Sequence, residues 1–302
     1  MLPLEQLFAQ QAQVASIRPI VLMYQAESQQ KELLHALFAS KAPRSYVRQI
    51  LRVLLTAIES ADIADPVEEL ITTYAGLMVP SDSEGEKTSI RSDESTPVYY
   101  RFGQHLLTVN ENRHTLVQFG GTGYRTWEAA LALGDYFIST TAVDLKNQRV
   151  LELGAGTGFA GMVTASLGSH TVLTDGDPAV VERLNKTISF NNLTADVQEL
   201  YWGPDAAVDH FANSLVIAAD VLYDVDIFPA FICILRRLLS VNCEAIIATT
   251  VRNEDTFGEF LAQAAAQEIV VQPLATYDPS DEPSEFFWFA PGPRIEILRL
   301  GL

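Results

Sequence analysis

The second half of the chain alternates short apolar runs with longer amphipathic segments. Short apolar runs that end in glycine or polar residues are typical of strands buried on both faces of a parallel sheet. The predicted strands are 150–153, 171–174, 197–202, 214–219 and 245–251. Apolar positions at helical spacing predict helices at 159–167, 178–191, 227–239 and 256–267. We therefore expect an α/β fold with a doubly wound, mostly parallel sheet, ending in a closing hairpin made of 286–289 and 294–300.

The first 79 residues have a helical pattern instead and predict a small helical N-terminal domain over 1–79. Two apolar stripes at helical spacing are expected to be buried: Leu33, Leu34, Leu37 and Phe38, and then Val47, Ile50, Leu51, Leu54 and Ile58. Asp65, Pro66 and Glu68 fit the N-cap, N1 and N3 positions of one more helix. The inward positions of that helix are Leu70, Ile71 and Tyr74. The pattern leaves open whether these helices only pack or also dock a substrate.

A polar stretch follows, and a third region begins after it. Residues 80–97 carry five acids against two bases and almost no apolar side chains, which is typical of an acidic linker or loop. From 98 onward, alternating residues around a turn near Asn110 predict a β-hairpin that opens a domain over 98–302. Glycines at 120, 121 and 123 lead into a predicted helix at 127–137.

Candidate chemistry concentrates in the stretch RVLELGAGTGFAGMVTASLGSHTVLTDGD, residues 149–177. Gly154 and Gly156 follow the first strand and allow a tight turn against a ligand. Asp175 falls at the end of the next strand, where a carboxylate can accept hydrogen bonds from both ribose hydroxyls. Asp177 precedes Pro178 and is better placed to cap the following helix.

The glycine pattern alone fits two cofactors. Gly156, Gly158 and Gly161 satisfy the G-x-G-x-x-G fingerprint of a dinucleotide site. Glu152 and Gly154, however, extend the pattern to E-x-G-x-G-x-G, which suits the turn of S-adenosylmethionine enzymes, in which the strand-end acid orients the loop. An NAD-dependent oxidoreductase therefore stays open as an alternative, as does a catalytically silent interaction module that keeps the fold for protein contact.

The fourth strand ends in ADVLYD, so Asp220 and Tyr223 emerge beside the glycine turn. An isolated pair of this kind fits a helix cap and a packing residue as well as a site. Its position next to a nucleoside-binding turn favours function.

Composition and charge limit the classes of partner that the chain can bind. The chain has 302 residues with a net charge of −18, which disfavours nucleic acid and favours a cationic protein surface. Apolar runs stay short of the ~18 residues of a membrane span, and no basic flank of a signal peptide is present, so we expect a cytoplasmic protein, without membrane contact and monomeric. Cys233 and Cys243 lack metal or redox spacing and are expected to be buried, reduced thiols. No histidine cluster suggests a metal.

Several motifs together resemble one family. These are LELGAGTG, LTDGD, the pair Asn191 and Asn192, YWG at 201–203 and ADVLYD. They resemble the seven-strand protein-lysine methyltransferases marked by a D-x-x-Y motif, over about 120–300. The segment GTGYRTWEAAL and the helical N-terminal extension are more narrowly similar to the eukaryotic lysine methyltransferases of elongation factor 2. Val221 and Leu222 depart from the adenine N6-methyltransferase pattern, which has two prolines there.

The resemblance implies a seven-stranded Rossmann-like methyltransferase sheet, S-adenosyl-L-methionine as methyl donor and a protein lysine as acceptor, with elongation factor 2 as the substrate. It also implies cofactor contacts by Gly154, Ala155 and Gly156, with Asp175 on the ribose. Further cofactor residues would be Trp202 beside adenine, with Trp127, Glu152 and Ala219 completing the pocket.

At the acceptor end, the resemblance implies that Asp220 and Tyr223 frame the channel for the lysine. A free lysine has a pKa near ~10.4, and a carboxylate raises it further, so Asp220 is expected to bind and aim the amine and not to deprotonate it.

Overall fold

The computed structural model describes residues 2–61, 64–78, 95–112, 121–278 and 284–302. The strands of its main sheet are β3 (Arg149–Leu153), β4 (His170–Asp175), β5 (Ala195–Glu199), β6 (Leu215–Ala219), β7 (Glu244–Thr250), β8 (Val270–Tyr277) and β9 (Ile295–Gly301). These seven strands lie in the order β5-β4-β3-β6-β7-β9-β8. β3 to β7 pair in parallel, whereas β9 runs antiparallel to both β7 and β8. The predicted doubly wound, mostly parallel seven-stranded α/β sheet is therefore confirmed.

Helices cover both faces of this sheet because side chains alternate along each strand. On one face, α9 (Phe228–Ser240) and α10 (Glu254–Ala266) share a core with residues such as Leu151 and Ile247. On the other face lie α6 (Glu128–Ser139), α7 (Phe159–Ser166) and α8 (Pro178–Phe190). The strand order reverses between β3 and β6, which is where a fold of this class opens a crevice for its ligand.

The N-terminal helices are α1 (Leu4–Ala9), α2 (Val14–Val21), α3 (Glu27–Ala39), α4 (Arg44–Ala61) and α5 (Glu68–Met78). They share a hydrophobic cluster of their own, in which all five predicted positions of α4 are buried. Phe38 is 58% exposed and Ile71 48% exposed, so these two were wrongly expected inside. The helix predicted from Asp65 begins instead at Glu68, where the Val67 carbonyl accepts its first bonds, so Asp65 is not its N-cap.

The hairpin before the sheet consists of β1 (Thr96–Phe102) and β2 (His105–Glu111). Its turn lies at Gly103, which has φ 52°, and not near Asn110 as predicted. Thr96 and Pro97 therefore belong to the hairpin and not to the linker. The rest of the predicted linker, 80–94, and the part of the predicted hairpin at 113–119 lie outside the described residues.

Two predictions at the end of the chain were wrong. The partner of β9 is β8, an edge strand that contains Pro273 and a register shift, and not the segment 286–289. That aromatic segment is not a strand, and Phe287 is fully buried against the rings of Tyr100 and Phe159. Aromatic residues favour strands statistically, but here their large apolar area fills the core between hairpin and sheet.

The third strand ends at Glu199, so Trp202 lies beyond it and not within it. Cys243 is buried as expected, whereas Cys233 is only half-buried, and neither is bonded to another cysteine. Among the described helices, none combines the length and apolar character that a membrane crossing requires.

The aromatic segment gives a test of the packing. Phe287→Ala should lower the free energy of unfolding by about 3 to 5 kcal/mol, because the ring leaves a cavity that its rigid neighbours cannot fill. Urea unfolding followed by circular dichroism measures this loss. The control Phe190→Ala removes a ring that is 66% exposed and should change stability by no more than about 0.5 kcal/mol. Equal midpoints for the two variants would contradict the docked position of Phe287.

Candidate active site

A cavity of about 630 Å³ opens at the carboxyl ends of the central strands. This volume is within the range of pockets for nucleoside-sized ligands. All the residues predicted for the site line it, namely Trp127, Glu152, Gly154, Ala155, Gly156, Asp175, Trp202, Ala219, Asp220 and Tyr223. The structure thus brings together residues from separate parts of the sequence.

The glycine turn is shaped by the need for open space. Gly154 has φ 64°, and a Cβ built on it would lie 3.1 Å from both Trp202 Cζ2 and Val221 Cγ1. A side chain would therefore be strained and would also crowd the cavity wall. Gly156 likewise has a positive φ, of 55°. The turn leaves a cradle of backbone in which a ligand can come close.

Asp175 has a different environment from Asp177. Its Oδ2 accepts a hydrogen bond from the Gly156 N–H and its Oδ1 accepts one from the Asp177 N–H, both at 3.0 Å. A carboxylate has about four acceptor positions, so two stay available to ligand hydroxyls. The Asp177 carboxylate instead accepts a bond from the Ala179 N–H at 2.8 Å and caps α8. The predicted helix cap at Asp177 is confirmed, and ribose binding by Asp175 stays a prediction that this geometry permits.

Glu152 is only 2% exposed, and its Oε2 accepts a hydrogen bond of 3.0 Å from the Gly161 N–H. Burial raises the pKa of this carboxyl to about 8, the Gly161 bond opposes the rise, and the charge of Asp175 adds to it. A Cβ at Gly161 would overlap Glu152 Oε2. The third glycine of the apparent dinucleotide fingerprint is therefore explained by the buried acid and does not require a dinucleotide.

Trp202 forms part of the cavity wall beyond the end of β5. Its ring packs on Phe231, with 5.2 Å between centroids, and its edge faces Gly154. Tyr201 beside it is 62% exposed and lines the same cavity. Sequence reasoning did not single out Tyr201, although it stands within the YWG motif.

Asp220 follows β6 directly and adopts φ 57°, which is uncommon for a residue with a side chain. Aspartate tolerates this conformation better than most residues. Its N–H donates to the Ala248 carbonyl at 2.9 Å, which ties the turn to β7. The residue lines the cavity and is only 8% exposed.

An arginine that sequence reasoning missed is paired with this acid. Arg252 Nη2 donates to Asp220 Oδ2 at 2.6 Å and Arg252 Nη1 donates to Oδ1 at 3.1 Å, which forms a bidentate ion pair. The same guanidinium lies 5.5 Å from the centroid of Trp127. Arg125 lies 4.9 Å from that centroid and pairs with Glu128 at 2.8 Å. A signal existed for Arg252, because it follows the fifth predicted strand and so had to lie at the same sheet edge.

Tyr223 stands at the mouth of the cavity and is 51% exposed. It can therefore contact a group that enters from solvent. Among the described residues, no cluster of three or more acids, histidines or cysteines is arranged to hold a metal ion.

Comparison with known proteins identifies the family. The sequence pattern described as lysine methyltransferase matches residues 104–266, more than half of the chain. The chain belongs to this lysine methyltransferase family. It is a protein-lysine methyltransferase that uses S-adenosylmethionine, and the dinucleotide alternative is thereby set aside.

Individual relatives support this assignment. The protein-lysine N-methyltransferase EFM3 of Chaetomium thermophilum is 31% identical over 91% of this chain and 90% of its own length. The human protein-lysine N-methyltransferase EEF2KMT is 28% identical over 70% of this chain and 67% of its own. The mouse EEF1A lysine methyltransferase 3 is 34% identical, but over 51% of this chain and 65% of its own.

The cavity fits this cofactor on structural grounds. The backbone cradle at Gly154 and Gly156 leaves room for a close ligand, and the two open acceptor positions on Asp175 match the two hydroxyls of a ribose. When bound, S-adenosylmethionine supplies an electrophilic methyl group on a sulfonium sulfur. The chain's own residues supply the binding, orientation and protonation state around it.

The raised pKa of Glu152 predicts a pH-dependent stability. The folded protein keeps a proton that the unfolded chain releases above about 4.5, so the contribution of Glu152 is fully present below that pH and is lost as pH rises toward about 8. The slope is roughly 1.4 kcal/mol per pH unit. Glu152→Gln keeps an oxygen for the Gly161 N–H but cannot ionise. The stability of this variant relative to the wild type should therefore increase with pH across this interval and level off above it.

Urea unfolding at several pH values measures that difference. Glu259→Gln, on the exposed face of α10, is the control for removing one carboxylate, and its curve should run parallel to that of the wild type. A Glu152→Gln curve parallel to the wild type would show that the buried carboxyl is not protonated in the folded state.

The two acids after β4 give a second test. Asp175→Ala should weaken S-adenosylmethionine binding roughly ten- to a hundredfold. The substitution removes the carboxylate that accepts hydrogen bonds from the glycine turn and would accept them from the ribose. Asp177→Ala should cost about 1 kcal/mol of stability through loss of its cap but leave the Kd within about threefold. Calorimetric titration measures both affinities, and equal losses would contradict the separate roles of the two carboxylates.

Proposed function

We propose that this enzyme methylates a lysine of elongation factor 2. In this proposal Asp220 and Tyr223 act at the acceptor end, and the residues of the glycine turn, with Asp175, bind the cofactor. The observation that carries the proposal is the extent of the similarity: a match over 91% of the chain includes most of the N-terminal helices, which lie outside the family pattern beginning at 104.

Two relatives that are named for different elongation factors differ in how much of this chain they match. The human relative with elongation factor 2 in its name, EEF2KMT, matches over 70% of this chain. The mouse relative named for a different factor, EEF1A, matches over 51%. The longer match with the relative named for elongation factor 2 supports the first substrate.

We further propose that the helical segment over 1–79 is a separate domain that docks the substrate. Contacts with the catalytic part support a fixed placement. Gln10 Nε2 donates to the Phe286 carbonyl at 3.0 Å, and Gln10 Oε1 accepts from the Trp288 N–H at 2.7 Å. Gln11 Nε2 also donates to the Pro97 carbonyl at 2.9 Å. A docked protein would thus be held at a defined distance from the cavity.

Charge supports a protein partner with a basic surface. The net charge of −18 favours association with cationic surfaces and disfavours phosphate backbones. The acids Asp224 and Asp226 follow Tyr223 at the cavity mouth and are exposed, so a lysine and its basic neighbours meet negative charge as they approach.

The acceptor lysine must lose a proton before it can take a methyl group. At neutral pH this costs roughly 4 to 5 kcal/mol for a free lysine. The proton leaves to water, and Asp220 then orients the amine while Tyr223 contacts the side chain at the mouth. Rate acceleration comes mainly from positioning and from exclusion of water.

The substrate is tested by labelling. Wild-type enzyme with tritiated S-adenosylmethionine should label elongation factor 2 in a lysate of matched cells that lack this protein. Asp220→Asn keeps the residue's shape and its tolerance of positive φ but removes the charge, so labelling should fall at least about a hundredfold while cofactor affinity changes little.

Mass spectrometry of the labelled band identifies the target. A band other than elongation factor 2 would correct the substrate and leave lysine methylation standing. Full labelling by Asp220→Asn would contradict the role of the carboxylate, and no labelled band with the wild type would contradict the activity itself.

A further inference from the structure

Arg252 occupies most of the acceptor capacity of Asp220. Oδ1 of Asp220 takes bonds from Arg252 Nη1 at 3.1 Å and from the Thr250 N–H at 3.2 Å, which use both of its acceptor positions. Oδ2 takes Arg252 Nη2 at 2.6 Å and keeps one acceptor position. One position suits a single N–H from an amine.

The pair also decides which form of lysine the site prefers. A bare carboxylate stabilises the ammonium form, which cannot take a methyl group. With Arg252 bound, the carboxylate charge is balanced, and an ammonium beside the guanidinium would be repelled. The same pair still accepts one hydrogen bond from an uncharged amine.

We propose that Arg252 is a positioning residue that neutralises Asp220, so that the acceptor end binds the substrate lysine as its uncharged amine. The inference rests on the proposed role of Asp220 at the acceptor lysine. It does not depend on which protein carries that lysine.

Other ionisable groups face this region from the elements around it. Arg125 pairs with Glu128 beside Trp127, and Glu254 at the start of α10 pairs with Arg294, so both arginines are already balanced by acids. Tyr223 lines the acceptor side, while Glu152, Asp175, Asp177 and Tyr201 line the cofactor side of the same cavity. Burial raises the pKa of the Glu152 carboxyl to about 8, and the Arg252 and Arg236 variants all keep this residue. Comparison between variants therefore isolates the effect of Arg252.

The test compares three variants by the pH dependence of kcat on purified elongation factor 2. Arg252→Gln removes the charge, so the midpoint of the rising limb should move up by about one to three pH units and kcat near neutral pH should fall at least about tenfold. KM should not rise, because the Asp220 carboxylate, without its arginine partner, still attracts lysine. Arg252→Lys keeps the charge without the two-pronged geometry and should keep the midpoint near that of the wild type.

Arg236→Gln is the matched control. Arg236 is 38% exposed and pairs with Glu268 at 2.8 Å, whereas Arg252 is 42% exposed and pairs with Asp220 at 2.6 Å, and Arg236 lies outside the cavity. This variant changes the net charge by the same amount and should leave the midpoint unchanged.

A binding measurement provides a readout that does not depend on turnover. Calorimetry of elongation factor 2 binding to the enzyme with S-adenosylhomocysteine, in buffers of different ionisation enthalpy, counts the protons released. The wild type should release close to one proton per lysine bound at neutral pH, and Arg252→Gln should release markedly fewer. Unchanged affinity for S-adenosylhomocysteine verifies that the variants fold.

The outcomes separate the two hypotheses. A uniform loss of kcat at all pH values in Arg252→Gln, or no proton release by the wild type, would overturn the inference while the role of Asp220 stands. Higher activity of Arg252→Gln at neutral pH would overturn it as well, and would indicate an arginine that blocks the site. Full activity of Asp220→Asn would instead remove the proposed function on which the inference rests.

Discussion

The hydrogen bond from the Gly161 N–H to Glu152 is the contact on which the cofactor end depends. It joins the end of strand β3 to the first turn of α7, across the glycine loop. The loop between these two anchors then has little freedom, and Gly154 and Gly156 take left-handed conformations within it. The Glu152 carboxyl occupies the space that a Cβ at position 161 would need, so this hydrogen bond requires a glycine there.

The parallel core of the fold could be predicted from the sequence because β3, β4, β6 and β7 must bury both faces. Such strands show as plain apolar runs, and their carboxyl ends necessarily meet at one edge, which brought Asp175 and Asp220 together. β8 gave no such signal, since it is an edge strand with mostly half-buried or exposed residues and a proline. The aromatic segment at 286–289 was wrongly predicted as a strand, because aromatic residues are common both in strands and in cores without regular structure.

Part of the site could not be predicted for a different reason. The pairing of Arg252 with Asp220 joins residues 32 positions apart on neighbouring strands and depends on the register that sets Ala219 opposite Ala248. No local pattern encodes that register. Arg125 reaches the same place from the loop before α6, so the positive charge around Trp127 comes from two distant segments.

The cavity has an acid at each end, and the two acids avoid bare buried charge in different ways. Glu152 is buried, so its protonated form is favoured near neutral pH. Asp220 is nearly as buried, but Arg252 donates a hydrogen bond to each of its carboxylate oxygens. An ion pair of this kind gains little net stability, because desolvation offsets most of the attraction. The stability of the fold therefore does not explain why this ion pair lies at the acceptor end, on a residue with positive φ. The need to bind an uncharged amine explains it better.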